Sequence, residues 1–161
     1  MLFKDHKPQF GNWTGEISTA DLREYRRGNW SDMFLPMREK RWQYIGLYSD
    51  EFIVGLAIVH AGYIGTVFAY VLNRKTGGFW ELERTAPLAQ GIRFERGITE
   101  STVAYRTMDE HIRFNNNLAN GKRGVDVRLK NEGLILDIRA EIVDNISVHP
   151  PVQALMPTPD G

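Results

Sequence analysis

The chain has no cysteine and no excess of charge of either sign. Its 161 residues include 20 Lys and Arg and 20 Asp and Glu. Without cysteine there is no disulfide, no thiolate metal site and no cysteine nucleophile. Balanced charge produces no net field that would attract nucleic acid or an anionic membrane. These absences exclude several classes of protein and leave a chain long enough to bury a core of its own.

Motifs for catalysis and cofactor binding are missing as well. The sequence contains no glycine-rich dinucleotide fingerprint, no phosphate-binding loop and no His-Glu-x-x-His zinc motif. Its four histidines are far apart in the sequence (His6, His60, His111 and His149). We therefore expect no metal site and no cofactor. The triplet Asp109-Glu110-His111 contains acid–base groups, but it lies at a predicted turn, where we expect it to be solvated.

One long apolar run, residues 52–72, contains no charged residue except, when protonated, His60. Its length matches the roughly 20 apolar residues of a membrane-spanning helix. However, β-branched and aromatic residues dominate it, and glycines at 55, 62 and 65 suit a turn or close backbone contact better than a helix. Basic residues flank both ends, so the charges set no membrane orientation. The run is therefore predicted to be a β-hairpin that turns at residues 60–63.

The rest of the chain from residue 41 to 143 alternates between apolar and polar residues. Ile112 and Phe114 share one face of a predicted strand, and Val125, Val127 and Leu129 share one face of another. This period of two, interrupted by turn signals, is typical of antiparallel strands with one buried face. The sequence predicts an all-β fold, an antiparallel meander that curls into a barrel, a half-barrel or a sandwich.

Composition divides the chain into three predicted parts. Residues 1–36 form an N-terminal arm with a short helix at 20–27, residues 37–148 form the β lobe, and residues 149–161 form a Pro-rich tail. Acidic residues interleave with the basic ones of the arm, so we expect a solvated segment that does not bind nucleic acid. The first ten residues lack the apolar core of a signal peptide, which indicates a soluble cytoplasmic protein.

Three segments carry a family resemblance: Lys40-Arg41-Trp42-Gln43-Tyr44, the hairpin 52–72 with its central Ala61-Gly62-Tyr63, and the closing Pro157-Thr158-Pro159-Asp160-Gly161. Over residues 13–161 the chain resembles the N-terminal half of the bacterial domain-of-unknown-function family 2804. This family is distantly similar to carotenoid 1,2-hydratases and other lipocalin-like (calycin) proteins, in which two barrel-like lobes follow one another. The resemblance implies a lipocalin-like lobe, an apolar ligand, and a second lobe that begins in the tail. No residue here matches a hydratase catalytic residue.

The candidate ligand-binding residues are His60, Tyr63, Tyr70, Tyr105 and Arg106. His60 and Tyr63 lie at the tip of the most apolar hairpin, where a polar ring needs a partner or a cavity. The alternative is a structural role in which both are hydrogen-bonded within the turn. Tyr70, Tyr105 and Arg106 could orient the polar end of an apolar ligand inside a barrel. Alternation does not show which of Tyr105 and Arg106 faces inward. The four tryptophans (Trp13, Trp30, Trp42 and Trp80) are expected in the core.

Three functions remain open at this point. The first is a binding module for a lipid or another apolar small molecule. The second is a hydratase- or isomerase-like enzyme acting on an isoprenoid or lipid. The third is a partial lobe without activity of its own, whose exposed sheet edges pair with another chain. Unpaired edges also predict that the chain associates with itself.

Overall fold

A computed structural model describes residues 39–97 and 99–144 in full, together with the backbone of four short strands outside these ranges. These strands are β1 (Phe3–Lys4), β2 (Lys7–Pro8), β3 (Gly11–Thr14) and β13 (Val152–Leu155). β1 pairs with β2, and β3 pairs with β13, both antiparallel. The pairing of β3 with β13 joins the predicted arm to the predicted tail. The helix predicted at 20–27 lies outside the described residues.

Nine further strands form two antiparallel sheets. The first sheet contains β4 (Arg41–Tyr48), β5 (Phe52–His60), β6 (Ile64–Asn73) and β7 (Phe79–Pro87). The second contains β8 (Ile92–Phe94), β9 (Glu100–Arg106), β10 (His111–Asn117), β11 (Lys122–Asn131) and β12 (Leu134–Val143). A single 3₁₀ turn, Leu118–Asn120, separates β10 from β11. Sequence neighbours are spatial neighbours within each sheet. The prediction of an all-β antiparallel meander is confirmed.

The meander divides between β7 and β8. Within the described residues, hydrogen-bonded ladders join β4 to β7 and β8 to β12, and no ladder joins the two sheets into a closed barrel. The strands β4, β7, β8 and β12 are therefore the edges of the two sheets in this part of the chain.

The long apolar run is the hairpin β5–β6. Phe52 is opposite Asn73 at its open end, and His60 is opposite Gly65 next to the turn. The backbone of Ala61 donates a hydrogen bond to the carbonyl of Ile64 at 2.8 Å. The prediction of a hairpin is confirmed. Among the residues that the structure describes, no helix has the length and apolarity needed to cross a membrane.

The two sheets pack their apolar faces together. Alternate residues of each strand point into the space between the sheets, as period-two patterning requires. The residues at the centre of this core have no exposed surface: Leu56, Ile58 and Val67 from the first sheet, and Ile112, Phe114 and Val127 from the second. Side chains therefore occupy the middle of the interface between the sheets.

Polar contacts join the sheets at both edges of the first sheet. On β4, the Gln43 amide exchanges two hydrogen bonds with the Asn116 amide of β10, at 2.9 and 3.1 Å. On β7, the Arg84 guanidinium donates to both carboxylate oxygens of Glu110, at 3.1 and 3.2 Å, and to the Lys130 carbonyl at 2.7 Å. Glu110 also accepts from the Lys130 amide at 3.0 Å. The Glu110 side chain is only 12% exposed, so the prediction of a solvated Asp109-Glu110-His111 triplet is wrong for Glu110, whereas Asp109 is exposed.

Candidate functional site

The outward face of the first sheet is rich in aromatic rings. Alternation in β4 places Ile45 in the core and its large rings on the opposite side. Trp42 is 77% exposed, Tyr48 72% and Phe79 60%. The outward-facing rings, which we call the aromatic face, are Trp42, Tyr44, Tyr48, Phe68, Tyr70 and Phe79. Ile53, Val59 and Leu72 have the same register parity and add apolar side chains to this face. On the edge strand β7 the exposed Glu81 and Glu83 lie opposite Tyr70 and Phe68, so this border of the face is acidic.

Two glycines bring the rings together at the centre of this face. Gly46 and Gly55 are directly opposite each other on β4 and β5, and Tyr70 is opposite Gly55 on β6. A Cβ atom on Gly55 would overlap the Tyr70 ring, so only glycine leaves room for it. The phenol oxygens of Tyr44 and Tyr70 are 2.9 Å apart and share a hydrogen bond. Tyr70 also stacks on Phe79, with ring centroids 6.2 Å apart and planes inclined by 27°.

Within this pair, the phenol of Tyr44 has a raised pKa. The hydrogen bond to Tyr70, and secondly partial burial, raise the pKa of the Tyr44 phenol well above its usual value of 10.0. Like any phenol with a pKa of about 10 or higher, Tyr44 is protonated near neutral pH and presents a hydroxyl, not a phenolate. Hydroxyls of this kind donate or accept hydrogen bonds, and they are poor ligands for a metal ion. Within residues 39–97 and 99–144, no group of three His, Asp or Glu side chains is arranged to hold a metal ion.

His60 and Tyr63, predicted at the hairpin tip, are found there. His60 points toward the core side of β5, and its Nδ1 accepts a hydrogen bond from the Gly62 amide at 3.1 Å. Its ring meets the Phe94 ring edge-on, with centroids 6.4 Å apart. Tyr63 is 60% exposed in the turn, and its carbonyl accepts from the Leu88 amide at 3.0 Å. These contacts match the structural role that the sequence also allowed for His60.

The other three candidates, Tyr70, Tyr105 and Arg106, lie in three different parts of the structure. Tyr70 is at the centre of the aromatic face. Tyr105 points into the core between the sheets, where burial, and secondly the Glu110 charge, raise the pKa of its phenol. Arg106 points outward from the second sheet. Tyr105 is therefore the inward-facing member of the pair that alternation could not resolve. The five predicted residues do not share one surface.

Most of the aromatic face was not anticipated from the sequence. The expectation that the tryptophans belong to the core is wrong for Trp42, which is exposed. It holds for Trp80, which packs against the core; the Trp13 and Trp30 side chains lie outside the described residues. The signal is present, because Trp42, Tyr44 and Tyr48 occupy alternate positions of one strand. Period two shows which residues share a face, but not which face is buried.

Comparison with known proteins supports the family to which the sequence segments point. A family model described as "Domain of unknown function (DUF2804)" matches residues 7–152, which is most of the chain. No curated protein and no solved structure matches the chain. The match includes both sheets and therefore the whole aromatic face. The chain belongs to the family of proteins with domain of unknown function 2804.

Proposed function

We propose that this protein binds an apolar small molecule or lipid on the aromatic face. The observation that carries the proposal is the cluster of exposed rings on one sheet face, arranged around a hydrogen-bonded pair of phenols. Large exposed apolar patches on soluble proteins mark interaction sites far more often than scattered single residues do. Aromatic rings supply a rigid apolar surface, and tyrosine adds a polar group at its end.

The phenol pair indicates what the ligand must contain. A flat or extended apolar body would cover Trp42, Phe68 and Phe79, and a hydroxyl, carbonyl or carboxyl group would hydrogen-bond to the hydroxyls of Tyr44 and Tyr70. Each phenol oxygen has hydrogen-bonding capacity beyond the single bond that the pair shares. The site therefore favours a lipid-like molecule with one polar group over a pure hydrocarbon.

A lipocalin-like (calycin) relationship is part of this proposal. The nine-strand antiparallel meander supports it. The interior of a lipocalin-like barrel would hold the ligand, but Leu56, Ile112 and Phe114 occupy that space here with no exposed surface. The ligand is accordingly placed on the outside of the first sheet. The cytoplasmic location stays a prediction from the sequence.

Binding is a better account of this surface than hydratase- or isomerase-like catalysis. An enzyme that moves protons needs a base held within hydrogen-bond reach of its substrate. The central polar groups here are two phenols bonded to each other, and Tyr44 is protonated near neutral pH. The carboxylate opposite Tyr70, Glu81, is exposed on the edge strand β7. A protonated phenol orients a ligand without accepting a proton from it. The enzyme remains the alternative hypothesis.

Titration with a fluorescent fatty acid tests the proposal. The parent protein should bind the probe, and Tyr70→Phe should weaken binding up to about tenfold, because it removes one hydrogen bond worth about 0.5–1.5 kcal/mol while keeping the ring. The melting temperature of this variant should change little, since Tyr70 lies on the outer surface of the sheet.

Tyr63→Phe is the matched control, because it makes the same chemical change in an exposed tyrosine outside the aromatic face. Probe binding should be unaffected. Weaker binding in Tyr63→Phe with normal binding in Tyr70→Phe would instead place the ligand at the hairpin tip. If the parent binds no apolar probe, the proposal is wrong, and the third hypothesis of a lobe that pairs with another chain gains support.

A further inference from the structure

The outward face of the second sheet has the opposite chemistry to the aromatic face. It contains an open pocket of about 520 Å³ near the β9–β10 turn. Its wall contains four Arg or Lys, three Asp or Glu and one His, and we call it the basic pocket: Arg106, Arg113, Arg128, Lys130, Asp109, Glu110, Asp126 and His111. Ala104, opposite Arg113 in register, is small and leaves space between the longer side chains.

The pocket has an unusual alignment of basic groups. His111 on β10 is directly opposite Arg106 on β9 and Arg128 on β11, so the three side chains form one cross-strand row. Arg106 and Arg128 therefore place two positive charges on either side of the His111 ring. The next row places Arg113 opposite Asp126, which contributes one carboxylate to the group.

The carboxylates nearby compensate this charge only in part. Asp126 is 3.3 Å from His111 Nε2 and 3.5 Å from the Arg139 guanidinium. Asp137 is 3.4 Å from Arg128. Glu110 and Asp109 also line the pocket: the Glu110 carboxylate is bound by Arg84, and Asp109 is exposed in the turn. Among the residues that the structure describes, no carboxylate lies within 4.0 Å of the Arg106 or Arg113 guanidinium.

We propose that the basic pocket binds a small soluble organic anion that carries carboxylate or phosphate groups. Guanidinium groups bind both oxyanions with paired, charge-assisted hydrogen bonds. Arg106 and Arg113 provide guanidinium groups without a carboxylate partner, and Arg128 faces the same space. Arg113 Nε donates to Asn115 Oδ1 at 3.0 Å, which leaves its terminal nitrogens for a ligand. The pocket volume lies within the range of about 300–1,000 Å³ that is typical of small-molecule sites. A single phosphate group would fill only part of this pocket. The ligand therefore carries more than one anionic group or an organic body.

Calorimetric titration of the intact chain at low salt, with citrate and with pyrophosphate as probes, tests this inference. At least one of the two should bind. Arg106→Gln and Arg113→Gln should each weaken binding by about tenfold or more, as expected for loss of a hydrogen bond to a charged group. Both side chains are exposed, so both variants should fold normally. Added salt should weaken binding to the parent protein, because it screens exposed charges.

Lys122→Gln is the control. Lys122 lies on the same face of the same strand as Arg128, but it is at the far end and is paired with Glu141 at 3.4 Å. Its replacement should leave anion binding unchanged. An equal loss in all three variants would show a diffuse charge effect and overturn the proposal, as would the absence of binding by either probe. Binding only to vesicles that contain phosphatidylglycerol would assign the surface to lipid headgroups and would also overturn it.

Discussion

Phe114→Ala is expected to lower the free energy of unfolding by about 3–5 kcal/mol, the usual cost of removing a buried phenylalanine ring. Phe114 lies on β10, has no exposed surface and belongs to the core that both sheets share. Its removal deletes apolar contacts and leaves a cavity that rigid neighbouring strands fill only in part. Since small domains have total stabilities of about 5–15 kcal/mol, this loss removes a large fraction of the total.

Urea denaturation of the parent and variant measures this difference. Met108→Ala is the control: Met108 is an apolar side chain of the same sheet, fully exposed in the β9–β10 turn. We expect its stability to stay within about 0.5 kcal/mol of the parent value. A loss below 1 kcal/mol for Phe114→Ala would contradict the packing of the two sheets over this ring.

Gly55→Ala should disrupt the aromatic face. The new Cβ atom would overlap the Tyr70 ring, so the ring must turn away and lose both its hydrogen bond to Tyr44 and its stacking on Phe79. Overpacking of this kind costs about 1–3 kcal/mol, and the low end is expected because the ring can turn toward solvent. Binding of the fluorescent fatty acid should weaken by more than tenfold, because the variant loses the phenol pair together with the shape of the surface.

Gly124→Ala is the matched control in a strand of the second sheet. A Cβ atom there would meet Asn115 at an ordinary contact distance of 3.5 Å. Glycine in a strand interior is less favourable than alanine by about 0.5–1 kcal/mol, so this variant should be neutral or slightly stabilised. Equal stability changes in the two variants would contradict the placement of the Tyr70 ring over Gly55.

The pH at which the Tyr44 phenol ionises is a second measurement of the effect of Gly55→Ala. The folded-state pKa of Tyr44 is raised above its unfolded value of about 10. Its contribution to stability is therefore complete below pH 10 and is lost as the pH rises through the folded-state pKa. With the hydrogen bond to Tyr70 gone, that pKa should fall toward its usual value. Phenolate absorbance should then appear at lower pH in Gly55→Ala than in the parent protein, and not in Gly124→Ala.

The sequence was sufficient for the strands, because their signal is local. Period-two patterning and turn residues located the β5–β6 hairpin and the inward positions Ile112 and Phe114 on β10. Glycines in a long apolar run separated a hairpin from a membrane helix. Each of these inferences depends on residues that are close together in the chain.

The candidate site depends on information that one strand does not contain. Both faces of β5 are apolar, so alternation could not show which side of the first sheet is buried. The pairing of Tyr44 with Tyr70 requires the registers of two ladders at once. The Arg84–Glu110 contact joins residues on different sheets, and no local pattern indicates it. Contacts between residues far apart in the chain therefore make Tyr44 and Tyr70 candidate binding residues and give Arg84 and Glu110 a structural role.

Quenching of tryptophan fluorescence by a brominated fatty acid tests the central claim most directly, because bromine quenches an indole only at close range. Trp42 lies on the aromatic face, and Trp80 packs against the core between the sheets. If the ligand lies on the outside of the first sheet, Trp42→Phe removes most of the ligand-dependent quenching and Trp80→Phe leaves it intact. Quenching that survives in Trp42→Phe and disappears in Trp80→Phe would place the ligand between the sheets and contradict the proposed site.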